Sequence, residues 1–238
     1  MRHQHLIVAV PARDEAESIG QCLRSIDQAA AEVAVPVRVV VAADRCTDAT
    51  VDVARHTAMD YCTAVVIEGA WGRAGAARAA AVQHALHSLP QDHGPCWIAN
   101  TDADCVVPSM WLRIQLELAT ELDAVAGVVE LDPASTAPAM LEAFRAEYLL
   151  DGDAHTHVHG ANIGMCATAY SAVGGWCRQT VVGEDHVMWQ SLRDIGRSTQ
   201  QTTSLRVLTS ARTRSRVSGG FATNLHDLVA RAVVAAHV

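Results

Sequence analysis

Short apolar runs separated by helical stretches recur through the first 131 residues at the spacing of strand–helix–strand units. Leu6–Val10, Val37–Ala43, Ala64–Ile67, Trp97–Ala99 and Ala124–Leu131 read as strands. The stretches around Asp14–Val33, Asp48–Met59 and Ala74–Leu89, with one more after Pro108, read as helices. Asp14 and Glu17 have the spacing of a capping box, which predicts a helix start just after Pro11. This order specifies an α/β fold, a mostly parallel central sheet with helices on both faces. Ordinary domains run to about 150 residues, and no repeat, linker or low-complexity tract divides the 238 residues here. We therefore expect a single domain over residues 1–238, made of two halves that meet near residue 105.

In sheets of this kind ligands sit outside the carboxyl ends of the strands. Those ends carry Pro11-Ala-Arg-Asp-Glu15, Asp44-Arg-Cys-Thr-Asp48, Glu68-Gly-Ala-Trp-Gly-Arg73 and Thr101-Asp-Ala-Asp104. A merely structural sheet has no reason to collect charge at one edge. Asp102 and Asp104, two residues apart beyond a strand end, can hold one hard divalent cation. Asp48 suits a helix cap, whereas Asp44 is placed to accept hydrogen bonds from a base or ribose.

The second half is less regular. A helix around Ala137–Leu150 leads into a polar run containing His155, His157 and His159, and later a strand is expected near Ser204–Thr209. Gly183-Glu184-Asp185 opens another helix, where a carboxylate is favoured by the backbone dipole. Two adjacent carboxylates are more than a cap requires, and one facing a cleft could serve as a general base. Arg212, Arg214 and Arg216 share one face if extended, a candidate diphosphate clamp or a solvated basic edge. The three histidines also share a face if extended and admit a metal-hydrolase reading, since imidazole suits zinc.

Composition closes other routes. Eighteen arginines, no lysine and 26 acidic residues give a net charge of −8, which argues against a nucleic-acid partner held by phosphate contacts. Without lysine there is no phosphate-binding P-loop, and no G-x-G-x-x-G follows the first strand. Seven scattered cysteines fit neither a disulfide framework nor a zinc ribbon and read as buried thiols of a cytoplasmic protein. The five apolar residues Leu6–Val10 are too few for a secretion signal or an integral membrane segment.

Taken in order, the edge motifs resemble those of family 2 glycosyltransferases of the GT-A fold. Val8-Ala-Val-Pro-Ala-Arg-Asp-Glu15 is similar to that family's opening segment, and Val41-Ala-Ala-Asp-Arg-Cys-Thr-Asp-Ala-Thr50 to its second-strand motif. Asp102-Ala-Asp104 is similar to its metal motif, Gly160-Ala-Asn162 with Gly174-Gly175-Trp176 to its acceptor-side segment, and Gly183-Glu-Asp185 to its catalytic acidic motif. The resemblance runs from about residue 6 to 220. It implies a non-processive, inverting enzyme that uses Mn²⁺ or Mg²⁺ to move a sugar from a nucleotide-diphosphate sugar to an acceptor hydroxyl. By position it implies that Pro11, Arg13, Glu15, Asp44, Arg73 and Asp102 line the donor pocket, with Arg212 and Arg216 over the diphosphate. It implies Asp104, with Asp102, as metal ligands, and Asp185 as the base with Glu184 as its possible substitute. Gly160, Asn162 and Trp176 would meet the acceptor. Residues about 1–105 would then form the nucleotide-binding half and about 106–238 the acceptor-binding half. The departures are Asp14 for the usual Asn, Arg73 for a common Lys, Arg78 where an Asn often follows, and Met165-Cys166 for a basic pair. A hydrolase centred on the histidines and a non-catalytic sugar-nucleotide binder are the competing readings.

Overall fold

Largely apolar segments of two to eleven residues pair into one sheet, and where they are rich in valine the β-branched side chains pack well on its pleated surface. The strands in order are β1 (His5–Ala12), β2 (Val37–Asp44), β3 (Thr63–Gly69), β4 (Cys96–Asn100), the two-residue β5 (Cys105–Val106), β6 (Ala124–Leu131), β7 (Ile163–Cys166) and β8 (Thr199–Thr209). The computed structural model describes residues 3–90, 94–148, 150, 155–180 and 182–210. Among these the strand order across the sheet is β3-β2-β1-β4-β7-β6-β8-β5. The first four neighbours run parallel, with Val8 opposite both Val39 and Ala99. Beyond β4 the sheet becomes mixed: β7 is antiparallel to β4 and to β6, β8 is parallel to β6, and β5 is antiparallel to β8.

The helices are α1 (Ile19–Ala30), α2 (Thr50–His56), α3 (Ala74–His87), α4 (Trp111–Leu118), α5 (Pro138–Glu147), α6 (Ala167–Ala172) and α7 (Glu184–Asp194), with a 3₁₀ turn at Gly160–Asn162. Helix α1 buries Ile19, Leu23 and Ile26, one apolar stripe at helical spacing. Helix α3 instead buries mostly alanine, so its backbone lies close against the sheet.

The expected strands are present with their ends shifted, most at β8, which begins five residues before the predicted Ser204, and β6 spans the predicted residues. The first helix differs. Asp14 has a φ of 52°, in the left-handed region, and its Oδ1 accepts hydrogen bonds from the Thr47 backbone N–H (2.6 Å) and hydroxyl (3.1 Å). The capping box therefore does not form, and α1 starts five residues later, at Ile19. Held first by the Thr47 N–H, the Asp14 carboxyl lies below its ordinary range.

Asp27, on α1, sits buried beneath the start of β3. Its carboxylate accepts backbone N–H groups from Asp60 (2.9 Å), Tyr61 (2.9 Å) and Cys62 (3.0 Å). Burial alone would raise its pKa, but these donors outweigh burial and hold it below the ordinary value. Asp27→Ala is expected to cost roughly 1–3 kcal/mol in urea unfolding at pH 7, since it leaves the three donors unpaired. The folded pKa is depressed, so the carboxylate's contribution is present above the unfolded value of about 3.9 and lost as pH falls through the folded one. The gap between wild type and variant should narrow in that acidic window.

Candidate active site

Because β1, β2, β3 and β4 run parallel, their carboxyl ends and the loops after them share one edge of the sheet. The loops after β1 and β2 are laced together. Glu15 N–H donates to Thr50 Oγ1 (2.6 Å) and Ala16 N–H to Asp48 Oδ2 (3.0 Å), in addition to the Asp14–Thr47 bonds. Asp48 Oδ1 accepts the Thr50 N–H (2.9 Å), so Asp48 organises the approach to α2 and also reaches the neighbouring loop. Pro11 and Glu15 are half-buried at this edge and Arg13 is exposed, while Glu15 Oε2 accepts the Ser18 hydroxyl (2.7 Å). Asp44 is buried, and both its oxygens accept the Gly72 N–H (2.9 and 2.8 Å). It thus holds the loop after β3, and a nucleobase N–H would share a carboxylate already in use. Arg73 is exposed at the start of α3 and reaches the Arg178 carbonyl (3.4 Å).

The two acidic motifs meet on one side chain. Arg78, on α3, is 3% exposed, and its Nη2 pairs with Asp102 Oδ1 while Nη1 pairs with Glu184 Oε1 at 2.6 Å. The guanidinium lies over the Trp176 ring, 5.4 Å from its centroid, a cation–π arrangement. Burial alone would lower the Arg78 pKa, but the charges of Asp102, Glu184 and Asp185 outweigh it and hold the group above its ordinary value. One guanidinium faces those three carboxylates, with Asp104 two residues along the chain from Asp102. Asp104 is half-buried and accepts the Ser210 hydroxyl (3.3 Å). Gly75 is required where α7 arrives: a Cβ there would lie 2.6 Å from the Cys177 carbonyl and 3.0 Å from Glu184 Cγ.

Asp185 is held at the start of α7 by two backbone donors, Gly160 N–H to Oδ2 (3.0 Å) and His186 N–H to Oδ1 (2.8 Å). Gly160 therefore belongs to the site through its backbone. Asn162 departs from the expectation that it meets an acceptor. It is fully buried, its Oδ1 accepts the Trp111 indole N–H (2.9 Å), and its Nδ2 donates to the Val128 (2.8 Å) and Leu205 (3.0 Å) carbonyls. This amide joins β6, β8 and α4 inside the core and turns no polar atom to a cleft. Asn162→Ala is expected to lower stability by at least about 2 kcal/mol in chemical denaturation, because it orphans buried groups on three elements. A selective effect on acceptor affinity with stability unchanged would contradict this. Trp176 is also buried, donating to Asn100 Oδ1 (3.2 Å), but it forms part of the wall of a cleft of about 360 Å³ shared with Arg178, Val187, Met188 and Ser191.

The histidines do not converge. The rings of His155, His157 and His159 stack, with centroids 5.9 and 5.8 Å apart and planes 22° and 11° apart, and Tyr148 stacks on His157 at 3.9 Å. Ring nitrogen lone pairs lie in the ring plane, so parallel rings direct them side by side rather than onto one ion. Tyr148 Oη accepts the Val129 N–H (3.1 Å) and meets His159 Nε2 at 2.9 Å. Burial lowers the His159 pKa to about 4, against the opposing charge of Asp185. Among the described residues the grouping with metal-ligand spacing is instead Asp14, Cys46 and Asp48, whose two carboxylates already hold the donor-side loops. Arg212 and Arg216 lie outside the described residues. Arg78, which the sequence marks only as a departure from the family's pattern, is a site residue to which the motifs assign no role. Its signal was an isolated charge inside the alanine run Ala76–Ala81.

Residues 3–223 match the family described as Glycosyltransferase like family 2. The chain belongs to this family. No curated protein matches the chain. Among solved structures, TarS 1–349 of S. aureus in complex with UDP-GlcNAc superposes with a TM-score of 0.63 at 15% identity, over 96% of this chain and 65% of that one. The mannosyltransferase PcManGT of Pyrobaculum calidifontis, in complex with GDP-Man and Mn²⁺, gives a TM-score of 0.61 at 20% identity, over 88% and 58%. Glucosyl-3-phosphoglycerate synthase of Mycobacterium tuberculosis, with Mn²⁺, UDP and phosphoglyceric acid, gives 0.54 at 14% identity, over 96% and 78%. The chain thus spans less than two thirds of the first two. These likenesses establish the GT-A glycosyltransferase fold for this family 2 member. No described helix is long and apolar enough to cross a membrane.

Proposed function

We propose that this family 2 chain transfers a sugar from a nucleotide-diphosphate sugar to an acceptor hydroxyl with inversion at the anomeric carbon. The observation that carries this reading is the meeting of the D-x-D turn and the Glu184-Asp185 pair on Arg78, at the edge where the parallel strands end. Residues about 1–105 supply the donor side: Pro11, Arg13, Glu15, Asp44, Arg73 and Asp102. Residues about 106–238 supply the acceptor side, with Arg212 and Arg216 over the diphosphate. The nucleotide complexes of TarS and PcManGT support a nucleotide-sugar donor.

Asp185 serves as the base. Its carboxylate is held in place by two backbone donors, and in this reading it takes the proton that the acceptor hydroxyl loses as it attacks. Glu184, paired with Arg78, is the less available of the two neighbours. Single displacement with one base inverts the anomeric centre. The donor set suits Mn²⁺ or Mg²⁺: carboxylate oxygens at a half-exposed turn, in local excess over cationic side chains. Asp104 would be the principal ligand, with Asp102 sharing its carboxylate between the ion and Arg78. When bound, such an ion stabilises charge on the departing diphosphate. The Mn²⁺ complexes of PcManGT and the synthase support this choice.

The test is incubation with UDP-, GDP- and dTDP-sugars in Mn²⁺ or Mg²⁺, following nucleoside diphosphate release and, by NMR, the anomer formed. Release from one donor class with the inverted anomer is expected. A retained configuration would overturn the single displacement, and tight donor binding without any release would favour a non-catalytic binder.

A further inference from the structure

Arg78 touches more of the site than a buried ion pair requires. Its two terminal nitrogens hold residues 24 and 106 positions away, Asp102 beyond β4 and Glu184 at the first turn of α7. Its flat face lies on Trp176. Its other side backs onto Gly160, where a Cβ would stand 2.6 Å from Arg78 Cζ. Gly160 in turn gives its N–H to Asp185. Both anchors of Asp185, the start of its own helix and the Gly160 amide, therefore rest on this guanidinium. Gly183, immediately before α7, has a φ of +85°, so the chain enters the helix through a turn and not along a rigid preceding element.

We propose that Arg78 is a positioning residue, one that sets the distance and direction of Asp185 relative to the D-x-D turn by bracing Glu184 and Gly160 against Asp102. The inference rests on the reading of Asp185 as base. A planar fork can hold two carboxylates at a fixed angle, which a single ammonium cannot do. Reactions of positioned groups are steep in distance: a displacement of about 1 Å can lower the rate roughly 10²-fold. Arg78 contacts the site residues Asp102, Glu184 and Trp176, so its effect is expected to fall more on turnover than on donor affinity.

The experiment compares Arg78→Met, Arg78→Lys, Glu184→Ala, Glu184→Gln and the double variant Arg78→Met/Glu184→Ala. Turnover is followed as nucleoside diphosphate release, donor affinity by calorimetry with UDP and GDP, and the Gly160 amide proton by NMR. The amide reports the bond to Asp185 and needs no donor. Arg78→Met and Glu184→Ala should each lower kcat by about 10²-fold, with nucleotide affinity little changed and the Gly160 amide shifted. The double variant should be no slower than the worse single one, because both remove the same brace. Glu184→Gln, which keeps an acceptor for Arg78, should recover much of the rate, and Arg78→Lys should fall between. Multiplying effects in the double variant, or an unmoved Gly160 amide, would overturn the inference. If Arg78→Met does not fold, Glu184→Ala leaves the Arg78–Asp102 pair in place and decides the matter by the same amide. Asp185→Asn separates the two claims. Full turnover in Asp185→Asn removes the base reading and this inference with it. Lost turnover in Asp185→Asn beside full turnover in Arg78→Met and Glu184→Ala removes the inference alone.

Discussion

Asp185→Asn is expected to reduce sugar transfer by roughly 10²–10⁴-fold, the usual scale for losing a general base, while leaving nucleotide and metal binding nearly intact. The carboxamide keeps the size of the carboxylate, and its oxygen can still accept one of the two backbone bonds from Gly160 and His186. What it lacks is a lone pair basic enough to take the acceptor's proton. Calorimetric titration with nucleotide followed by turnover on the same preparation checks both halves. Loss of nucleotide binding together with activity would show that Asp185 holds the pocket together, and full activity would place the base elsewhere.

The second large effect concerns metal-linked nucleotide binding. With UDP or GDP at about 100 times its dissociation constant, binding stabilises the folded chain by about 2.7 kcal/mol, visible as a rise in melting temperature. That rise should appear with Mn²⁺ or Mg²⁺ and vanish with EDTA. Asp104→Ala should remove the metal-dependent part, because Asp104 is the turn carboxylate outside the Arg78 ion pairs. Asp102→Asn should weaken it less, since Asp102 already shares its charge with Arg78. A nucleotide shift indifferent both to EDTA and to Asp104→Ala would remove the metal from the donor site.

The parallel half of the sheet could be read from residue order because β1, β2 and β4 are continuous apolar runs buried on both faces, and the half-buried edge strand β3 keeps the apolar run Ala64–Ile67. Strands β5 and β7 could not. Cys105–Val106 is two residues long, and Ile163-Gly-Met-Cys166 has neither length nor alternation to set it apart from a loop. Their pairing depends on β8 and β4, far away in sequence. The start of α1 is hidden in the sequence for a local reason: an Asp with cap spacing is equally suited to a left-handed turn, and Thr47 decides between them. The acidic motifs stand out by their position at strand and helix ends. Asn162 looks the same on paper as a residue facing a cleft, and only the arrival of Trp111, Val128 and Leu205 around it shows its place in the core.

The lacing between the loops after β1 and β2 bears on how this chain could be rebuilt. Hydrogen bonds cross between the two segments: Asp14 to the Thr47 amide and hydroxyl, Thr50 to the Glu15 amide, Asp48 to the Ala16 amide and the Cys46 thiol to the Ala12 carbonyl. Each joins a side chain of one segment to a backbone or hydroxyl group of the other. A graft that exchanges one loop for that of another family member would break these stitches together and leave half-buried and exposed donors without their present partners. The two segments, residues 11–18 and 44–50, form a single transplantable cassette, and chimeras intended to alter donor choice would have to move them as a pair.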